Sequence, residues 1–153
     1  MKILLFSTAL LSLLPWTYSS KDNTHYLAAV VEYSPESDAG LSGLELVLRN
    51  VKHYEALIAN ARSRQVDIIV FPEVGLTGVA AVRDQHIYME VPHPNASISP
   101  CLQPEQWAEP LRRLSCAARE NRIYVAVNLE EQSGSKRYTA NRIVEFSMNR
   151  RCF

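Results

Sequence analysis

The sequence predicts a single α/β domain, and three consecutive segments carry this prediction. Residues 26–33 (YLAAVVEY) form a short apolar run typical of a buried strand, an amphipathic helix begins near Leu44, and residues 66–71 form a second apolar run. A strand, a helix and a strand make a βαβ unit, which implies a parallel sheet because parallel strands need a crossover connection. With 153 residues, the chain suits one domain with a core of its own.

The first helix is predicted by apolar residues that recur at steps of three and four, with charged residues between them. Ser42 is a suitable N-cap, since its hydroxyl can accept a hydrogen bond from a backbone N–H of the first turn. The segment SPESDAGLSG before it consists of turn-forming residues. The predicted inward face of this helix comprises Leu44, Val47, Leu48, Val51, Tyr54, Leu57, Ile58 and Ala61.

Three further elements follow a proline-rich loop. Residues 123–129 (IYVAVNL) are predicted to be the third strand and residues 138–146 the fourth, joined by a turn at residues 133–135 (SGS). No internal repeat or interdomain linker interrupts this order. A second helix precedes the third strand, and one of its faces is marked by Trp107, Leu111, Leu114 and Ala118.

The charge balance argues against a nucleic-acid partner. Sixteen basic and sixteen acidic side chains cancel, and no block of like charge stands out. A nucleic-acid-binding domain normally carries a basic face or stripe. The sequence therefore favours a small or neutral partner.

The first twenty residues have the composition of a secretory signal. Lys2 is followed by an apolar stretch over residues 3–14 and then by small residues at Thr17, Ser19 and Ser20. The alternative is a membrane anchor, but the apolar run is shorter than the roughly 20 residues that span a bilayer. We therefore expect residues 1–20 to be cleaved, and residues 21–153 to be exported without a transmembrane segment.

Export determines how the three cysteines are interpreted. In an oxidising compartment, the pair Cys101 and Cys116 favours a disulfide over two free thiols, and Cys152 is left over. A bond across a loop of this size stabilises by up to about 3 kcal/mol in the chain-entropy model. The cysteine and histidine spacing matches no metal signature, so neither a metal nor another cofactor is predicted.

Export also gives meaning to a short motif. Asn95-Ala96-Ser97 is an acceptor sequon for N-glycosylation, in a loop marked by prolines that we expect on the surface. The alternative is an unused sequon, because motifs this short also arise by chance. The secretory context favours a glycan on Asn95.

The setting of Glu73 raises the question of function. An apolar run leads to Pro72-Glu73, and Gly75 and Gly78 follow, which indicates a strand that ends in a sharp turn. Ligand sites in open parallel sheets gather beyond the carboxyl ends of the strands. Glu73 is therefore either a solvated turn residue or a base held over a cleft.

Four segments resemble a known family. DIIVFPEVGLTG resembles the first catalytic motif of the nitrilase superfamily of carbon–nitrogen hydrolases, in which an apolar strand ends in Pro-Glu and a glycine-rich turn. SPCLQP, LRRLSCAARENRIYVAVNL and KRYTANRIVEF are similar, in this order, to segments of its secreted vanin and biotinidase branch. The resemblance extends to about Phe146. It implies an α-β-β-α sandwich, here in its N-terminal part.

The resemblance also implies a Glu-Lys-Cys catalytic set that hydrolyses a small amide without a cofactor. A cysteine attacks the amide carbon to form a thioester, glutamate is the general base, and lysine stabilises the oxyanion. Of this set, only Glu73 matches a family motif in the present sequence. Pantetheine cleavage and biocytin cleavage remain equally open.

The match ends before the other two catalytic residues. The family's lysine follows the strand similar to KRYTANRIVEF, where this chain has SMNRRCF, and the nucleophilic cysteine lies later still. Three interpretations of this tail are open: a truncation, an alternative splice end or a mispredicted gene model. We expect either a secreted amidase represented by its N-terminal part, or a non-catalytic secreted domain that keeps the scaffold. The oligomeric state is not predicted.

Overall fold

In the part of the chain that the structure describes, the fold consists of one four-stranded sheet and two helices. The computed structural model describes residues 25–36, 38, 40–78, 87–93, 95–96 and 98–144. The predicted signal at residues 1–20 and the leftover Cys152 lie outside these ranges. The mixed α/β class is confirmed. The elements in chain order are β1 (Ala28–Val30), α1 (Gly43–Ser63), β2 (Ile68–Val70), a 3-10 turn (Pro100–Leu102), α2 (Glu109–Asn121), β3 (Tyr124–Ser133) and β4 (Lys136–Val144).

The sheet combines parallel and antiparallel pairing. Its strands lie in the order β1-β2-β3-β4, with β1, β2 and β3 parallel and β4 antiparallel to β3. The parallel βαβ unit predicted from the sequence is therefore present. Because crossovers between parallel strands are right-handed and the strand order advances in one direction, α1 and α2 lie on the same face of the sheet.

Helix α1 begins where the sequence predicts it. Ser42 accepts a hydrogen bond from the Glu45 backbone N–H at 3.3 Å, and the Glu45 carboxylate accepts one from the Ser42 N–H at 2.9 Å. This reciprocal capping box satisfies two backbone donors that a helix start otherwise leaves unpaired. Most of the predicted inward face is buried, but Leu44 is 40% exposed, whereas Leu46 and the polar Asn50, which were not predicted to face inward, are buried.

The core lies between the helices and the sheet. Within it, side chains from β2 and β3 pack against the inner faces of both helices, as alternation along a strand and 3.6-residue periodicity along a helix require. Its fully enclosed members include Val47, Val51, Tyr54, Ile58, Leu111, Leu114, Ala118, Ile123, Val125 and Leu129.

The opposite side of the sheet, which we call the outer face, is apolar but largely open in the part of the chain that the structure describes. Val30 is 83% exposed, Ile143 60% and Tyr124 43%. The prediction that the first strand is buried was therefore wrong. Strand β1 is three residues long, occupies the sheet edge, and its outward side chains have no second layer among the described residues.

The hairpin of β3 and β4 is longer than predicted. Gly134 adopts a positive φ of 59°, and a two-residue turn places Ser133 opposite Lys136. Such a turn matches the twist of the two strands and lets pairing continue to its edge. Strand β4 consequently starts two residues earlier than residue 138, whereas the predicted end at Phe146 lies outside the described ranges.

Candidate active site

Glu73 lies in a turn directly beyond the carboxyl end of β2. The last sheet bond runs from the Phe71 N–H to the Ala126 carbonyl at 2.9 Å. The chain then turns sharply: the Gly75 N–H bonds the Pro72 carbonyl at 3.3 Å. The Glu73 side chain is exposed. We call residues 72–78 the glutamate turn.

The glutamate turn requires glycine at position 75. A Cβ atom on Gly75 would lie 2.6 Å from the Tyr54 hydroxyl oxygen and 2.7 Å from Pro72 Cγ. Real Cβ atoms essentially never lie this close to another heavy atom, so any larger residue would force the turn or its neighbours to shift. Gly75 thus lets the backbone that carries Glu73 rest directly on α1.

Tyr54 is the residue of α1 on which the turn rests. Its ring is fully buried and stacks on Phe71 with centroids 3.8 Å apart, and Tyr33 meets it edge-on at 5.2 Å. Burial raises the pKa of the Tyr54 hydroxyl well above its ordinary value. That hydroxyl has no hydrogen-bond partner among the described residues.

Asn50, one turn earlier on α1, holds the far end of the glutamate turn. Its Nδ2 donates to the Leu76 carbonyl at 3.0 Å. Its Oδ1 accepts hydrogen bonds from the Tyr33 hydroxyl at 2.6 Å and the Glu36 N–H at 3.0 Å. A buried amide with these partners fixes the turn relative to both α1 and the segment after β1.

Asn128, at the middle of β3, holds the near end of the turn. Its Oδ1 accepts a hydrogen bond from the Val74 N–H at 3.0 Å, and its Nδ2 donates to Asn141 Oδ1 on β4 at 2.9 Å. The side chain is 4% exposed. The residue immediately after Glu73 is therefore tied to both strands of the β3–β4 hairpin.

Two carboxylates follow Asn128 on β3, and both are buried. Glu131 forms a bidentate ion pair with Arg142, with Nη2 to Oε2 at 2.6 Å, and this hydrogen bonding raises the pKa of Arg142. Glu130 accepts a hydrogen bond from the Thr139 hydroxyl at 2.7 Å. These cross-strand pairs fix the hairpin beside the glutamate turn.

The other residues singled out from the sequence lie away from the glutamate turn. Cys101 and Cys116 form a disulfide with an S–S distance of 2.11 Å, which joins the 3-10 turn to α2. Asn95 is exposed in the connecting loop, where its N–H donates to His93 Nδ1. Within the described ranges, no hydrogen bond or disulfide joins these residues to Glu73.

Sequence reasoning missed the two asparagines that hold the turn. Both leave a signal: Asn50 interrupts the apolar face of α1, and Asn128 lies inside the apolar run VAVNL. A polar residue at a position that the periodicity assigns to the interior must find hydrogen-bond partners there. That requirement identifies such residues as anchors, although it does not name what they anchor.

The arrangement is chemically able to accept a proton. It presents an exposed carboxylate on a turn whose neighbours are held from α1 and from β3, at the sheet edge where ligands gather. Among the described residues, no group of three His, Cys, Asp or Glu side chains is placed to hold a metal ion. Likewise, no helix in those ranges has the length and apolar character needed to cross a membrane.

Known proteins resemble this chain over most of its length. The family model described as carbon-nitrogen hydrolase matches residues 27–152. Biotinidase from Takifugu rubripes is 37% identical, over 82% of this chain and 27% of its own length. Pantetheinase from Mus musculus is 34% identical, over 70% of this chain and 23% of its own length. Vanin-like protein 3 from Drosophila melanogaster is 34% identical, over 74% of this chain and 21% of its own length. The chain spans about a quarter of the length of these curated relatives.

Proposed function

Since this chain belongs to the carbon-nitrogen hydrolase family, we propose that it is the N-terminal part of a secreted amidase in which Glu73 is the general base. The substrate is a small, non-peptide amide such as pantetheine or biocytin, the two classes that the names of the relatives suggest. The observation that carries the proposal is the position of Glu73, on an anchored turn beyond the carboxyl end of β2.

The proposed reaction assigns Glu73 two proton transfers. In the first, its carboxylate takes the thiol proton of a cysteine as the sulfur attacks the amide carbon, and the amine leaves with a proton. In the second, it takes a proton from the water that hydrolyses the thioester. The cysteine and an oxyanion-stabilising lysine come from the chain beyond the matched motifs of this sequence.

The contacts of the turn support this role. A general base must be held within hydrogen-bond reach of the proton that it removes. Glu73 is exposed and accessible to a substrate, while the backbone on its C-terminal side is fixed by Asn128, Gly75 and Asn50. An ordinary surface carboxylate needs no such support.

Glu73→Gln in the complete protein tests the proposal. Glutamine has the same shape but cannot accept the thiol proton, so kcat/KM for a small amide should fall by about 10²–10⁴-fold. Intact mass after rapid mixing should show an acyl adduct in the wild type and little or none in the variant. Glu105→Gln, which neutralises another exposed glutamate, is the matched control.

The result separates the two interpretations of Glu73. Unchanged acylation and turnover in Glu73→Gln would make Glu73 a turn residue only. Loss of acylation with an unchanged melting temperature supports the assignment as base. The 153-residue chain alone should not turn over an amide, because a general base without the nucleophilic cysteine cannot form the thioester.

The second candidate is a non-catalytic secreted domain that keeps the scaffold. It remains the alternative because Glu73 is the one member of the catalytic set that matches a family motif in this sequence. Sequencing the transcript beyond Met148 distinguishes the two. A downstream lysine, and a cysteine after an apolar strand, support the amidase, whereas a transcript without them supports the non-catalytic domain.

Secretion is part of the proposal and has its own test. A cleaved signal at residues 1–20 would expose Asn95 to glycosylation, and Asn95 lies in an exposed loop. Expression in cells with a secretory pathway should yield protein in the medium whose mobility increases after enzymatic glycan removal. Asn95→Gln should abolish that shift, and an unglycosylated wild-type protein would contradict the use of this sequon.

A further inference from the structure

We propose that Asn128 is a positioning residue for Glu73, holding the peptide bond between Glu73 and Val74 in the conformation that catalysis requires. The inference rests on the proposed role of Glu73 as base. It deepens that role by naming the residue that sets the geometry of the carboxylate. Three features of the structure carry it.

The first feature is the backbone of Val74. Its φ is +56°, in the left-handed region that a β-branched side chain strongly disfavours. The other two described non-glycine residues with positive φ, Gln65 and Arg122, directly follow helices, where this conformation is common. Val74 has no such reason for it. A conformation of this kind persists only where its surroundings impose it, and such sites cluster where geometry matters for function.

The second feature is the bond that imposes it. Asn128 Oδ1 accepts the Val74 N–H at 3.0 Å, across 54 residues of sequence. A backbone N–H can only donate, so the amide oxygen must face the turn and the Nδ2 group must face Asn141. The acceptor therefore has one orientation, which the 2.9 Å bond to Asn141 reinforces.

The third feature is the place of this bond relative to Glu73. The Val74 N–H belongs to the same planar peptide unit as the Glu73 carbonyl, so holding it restrains ψ of Glu73. Asn50 bonds the Leu76 carbonyl, farther along the chain. Of the side-chain bonds to the described turn, that of Asn128 is the nearest to the base. A displacement of about 1 Å at a reacting group costs on the order of 10²-fold in rate.

The test compares three variants of the complete protein. Asn128→Ala removes the acceptor, and Asn128→Asp keeps an oxygen for the Val74 N–H. Thr139→Val is the matched control, because it removes a similar β3–β4 bond, to Glu130, that does not touch the turn. Melting temperatures establish which variants fold, and amide hydrogen exchange of Val74 is measured in each.

We expect Val74 exchange to accelerate at least tenfold in Asn128→Ala and to remain unchanged in Thr139→Val. With a small amide, Asn128→Ala should lower kcat by about 10²-fold at nearly constant KM, since the base is misplaced while substrate binding persists. Asn128→Asp should recover most of kcat, because its carboxylate oxygen can still accept the hydrogen bond from the Val74 N–H.

Each outcome decides the matter. Unchanged Val74 exchange in Asn128→Ala overturns the anchor, and accelerated exchange with unchanged kcat overturns its positioning role. If Asn128→Ala does not fold, Asn128→Asp decides: retention of both Val74 protection and kcat, or loss of both, supports the role, and a change in one without the other overturns it. A wild-type protein that exchanges as expected but has no turnover overturns the proposed function and reduces Asn128 to a structural anchor.

Discussion

The two faces of the sheet differ in how much of their apolar surface is covered. On the helix-covered face, Ile69 is 2% exposed and Val125 is fully buried, whereas the neighbouring residues on the outer face include Val30 at 83% and Tyr124 at 43%. The strands are the same on both faces, so intrinsic strand preference does not explain the difference. At these positions, the layer of helices accounts for it.

This difference indicates that a second layer, beyond the described residues, would bury the outer face. An apolar sheet face is normally buried against a second layer, and a contiguous exposed apolar patch marks an interaction surface. In the α-β-β-α sandwich implied by the family resemblance, that layer is a second sheet. The chain spans about a quarter of its relatives' length, and we propose that the outer face packs against the remainder of a longer protein.

The largest expected contrast comes from truncating one side chain on each face of the 153-residue chain. Ile69→Ala should lower the free energy of unfolding by about 2–5 kcal/mol, because it opens a cavity in the core. Val30→Ala should change it by less than about 0.5 kcal/mol, because its side chain is exposed. Urea unfolding followed by circular dichroism measures both. Equal effects would show that the two faces do not differ.

The same Val30→Ala substitution in the complete protein sharpens the comparison. If a second layer covers the outer face, the cost should rise to about 1.5 kcal/mol or more, because two buried methyl groups are lost at about 0.8 kcal/mol each and a cavity remains. The measurement is the difference between the two unfolding free energies. A cost as small as in the 153-residue chain would show that Val30 stays exposed.

A disulfide joins the 3-10 turn to α2, and the next effect tests that bond. Replacing both Cys101 and Cys116 with serine should lower the free energy of unfolding by up to about 3 kcal/mol in the chain-entropy model. Non-reducing peptide mapping of the wild type should recover the two cysteines in one cross-linked peptide. Alkylation of both without prior reduction would contradict the pairing.

At the end of the sheet, Gly75→Ala tests how closely the glutamate turn rests on α1. The added methyl group would meet the Tyr54 hydroxyl and Pro72, and such overpacking costs about 1–3 kcal/mol. Combining it with Tyr54→Phe should recover part of the loss, because one of the two clashes disappears. Full additivity of the two substitutions would place Tyr54 away from the turn.

The smallest effect is the pH dependence that Tyr54 contributes. Burial raises the folded-state pKa of Tyr54, so the unfolded chain releases this proton first as the pH rises. The contribution of Tyr54 to the free energy of unfolding is therefore fully present below about pH 10. Above that pH it decreases by about 1.4 kcal/mol per pH unit. Tyr54→Phe should remove this contribution from the alkaline slope, whereas Tyr26→Phe, at an exposed position, should retain it.

The sequence predicted what depends on local periodicity and failed where distant contacts decide. Ser42 and the spacing of α1 predicted the helix start, and the Ser-Gly-Ser turn predicted the hairpin. The first strand was predicted to be buried because an apolar run alone does not reveal whether a second layer is present. The length of β3 was underestimated because Glu130 and Glu131 look like solvent-facing residues until their partners on β4 are known.

For the candidate site, the sequence indicated Glu73 but not its supports. The strand-Pro-Glu pattern is contiguous and therefore visible in one segment. Asn128 lies 54 residues from Val74, and its role depends on the order of strands in the sheet. A single sequence shows which polar residues interrupt apolar patterns. Their hydrogen-bond partners become known only from the three-dimensional structure.

The tight turn at Gly134 has a consequence for the order of folding. Strands β3 and β4 pair through neighbours in sequence, from Ser133 and Lys136 outward, whereas β1, β2 and β3 must close long intervening loops. Hairpins form within about 1–10 μs, and contacts with low sequence separation form before distant ones. We therefore expect Asn128 and Asn141 to pair early. The oxygen of Asn128 is then already in position when β2 joins the sheet and the peptide bond after Glu73 comes within reach of it.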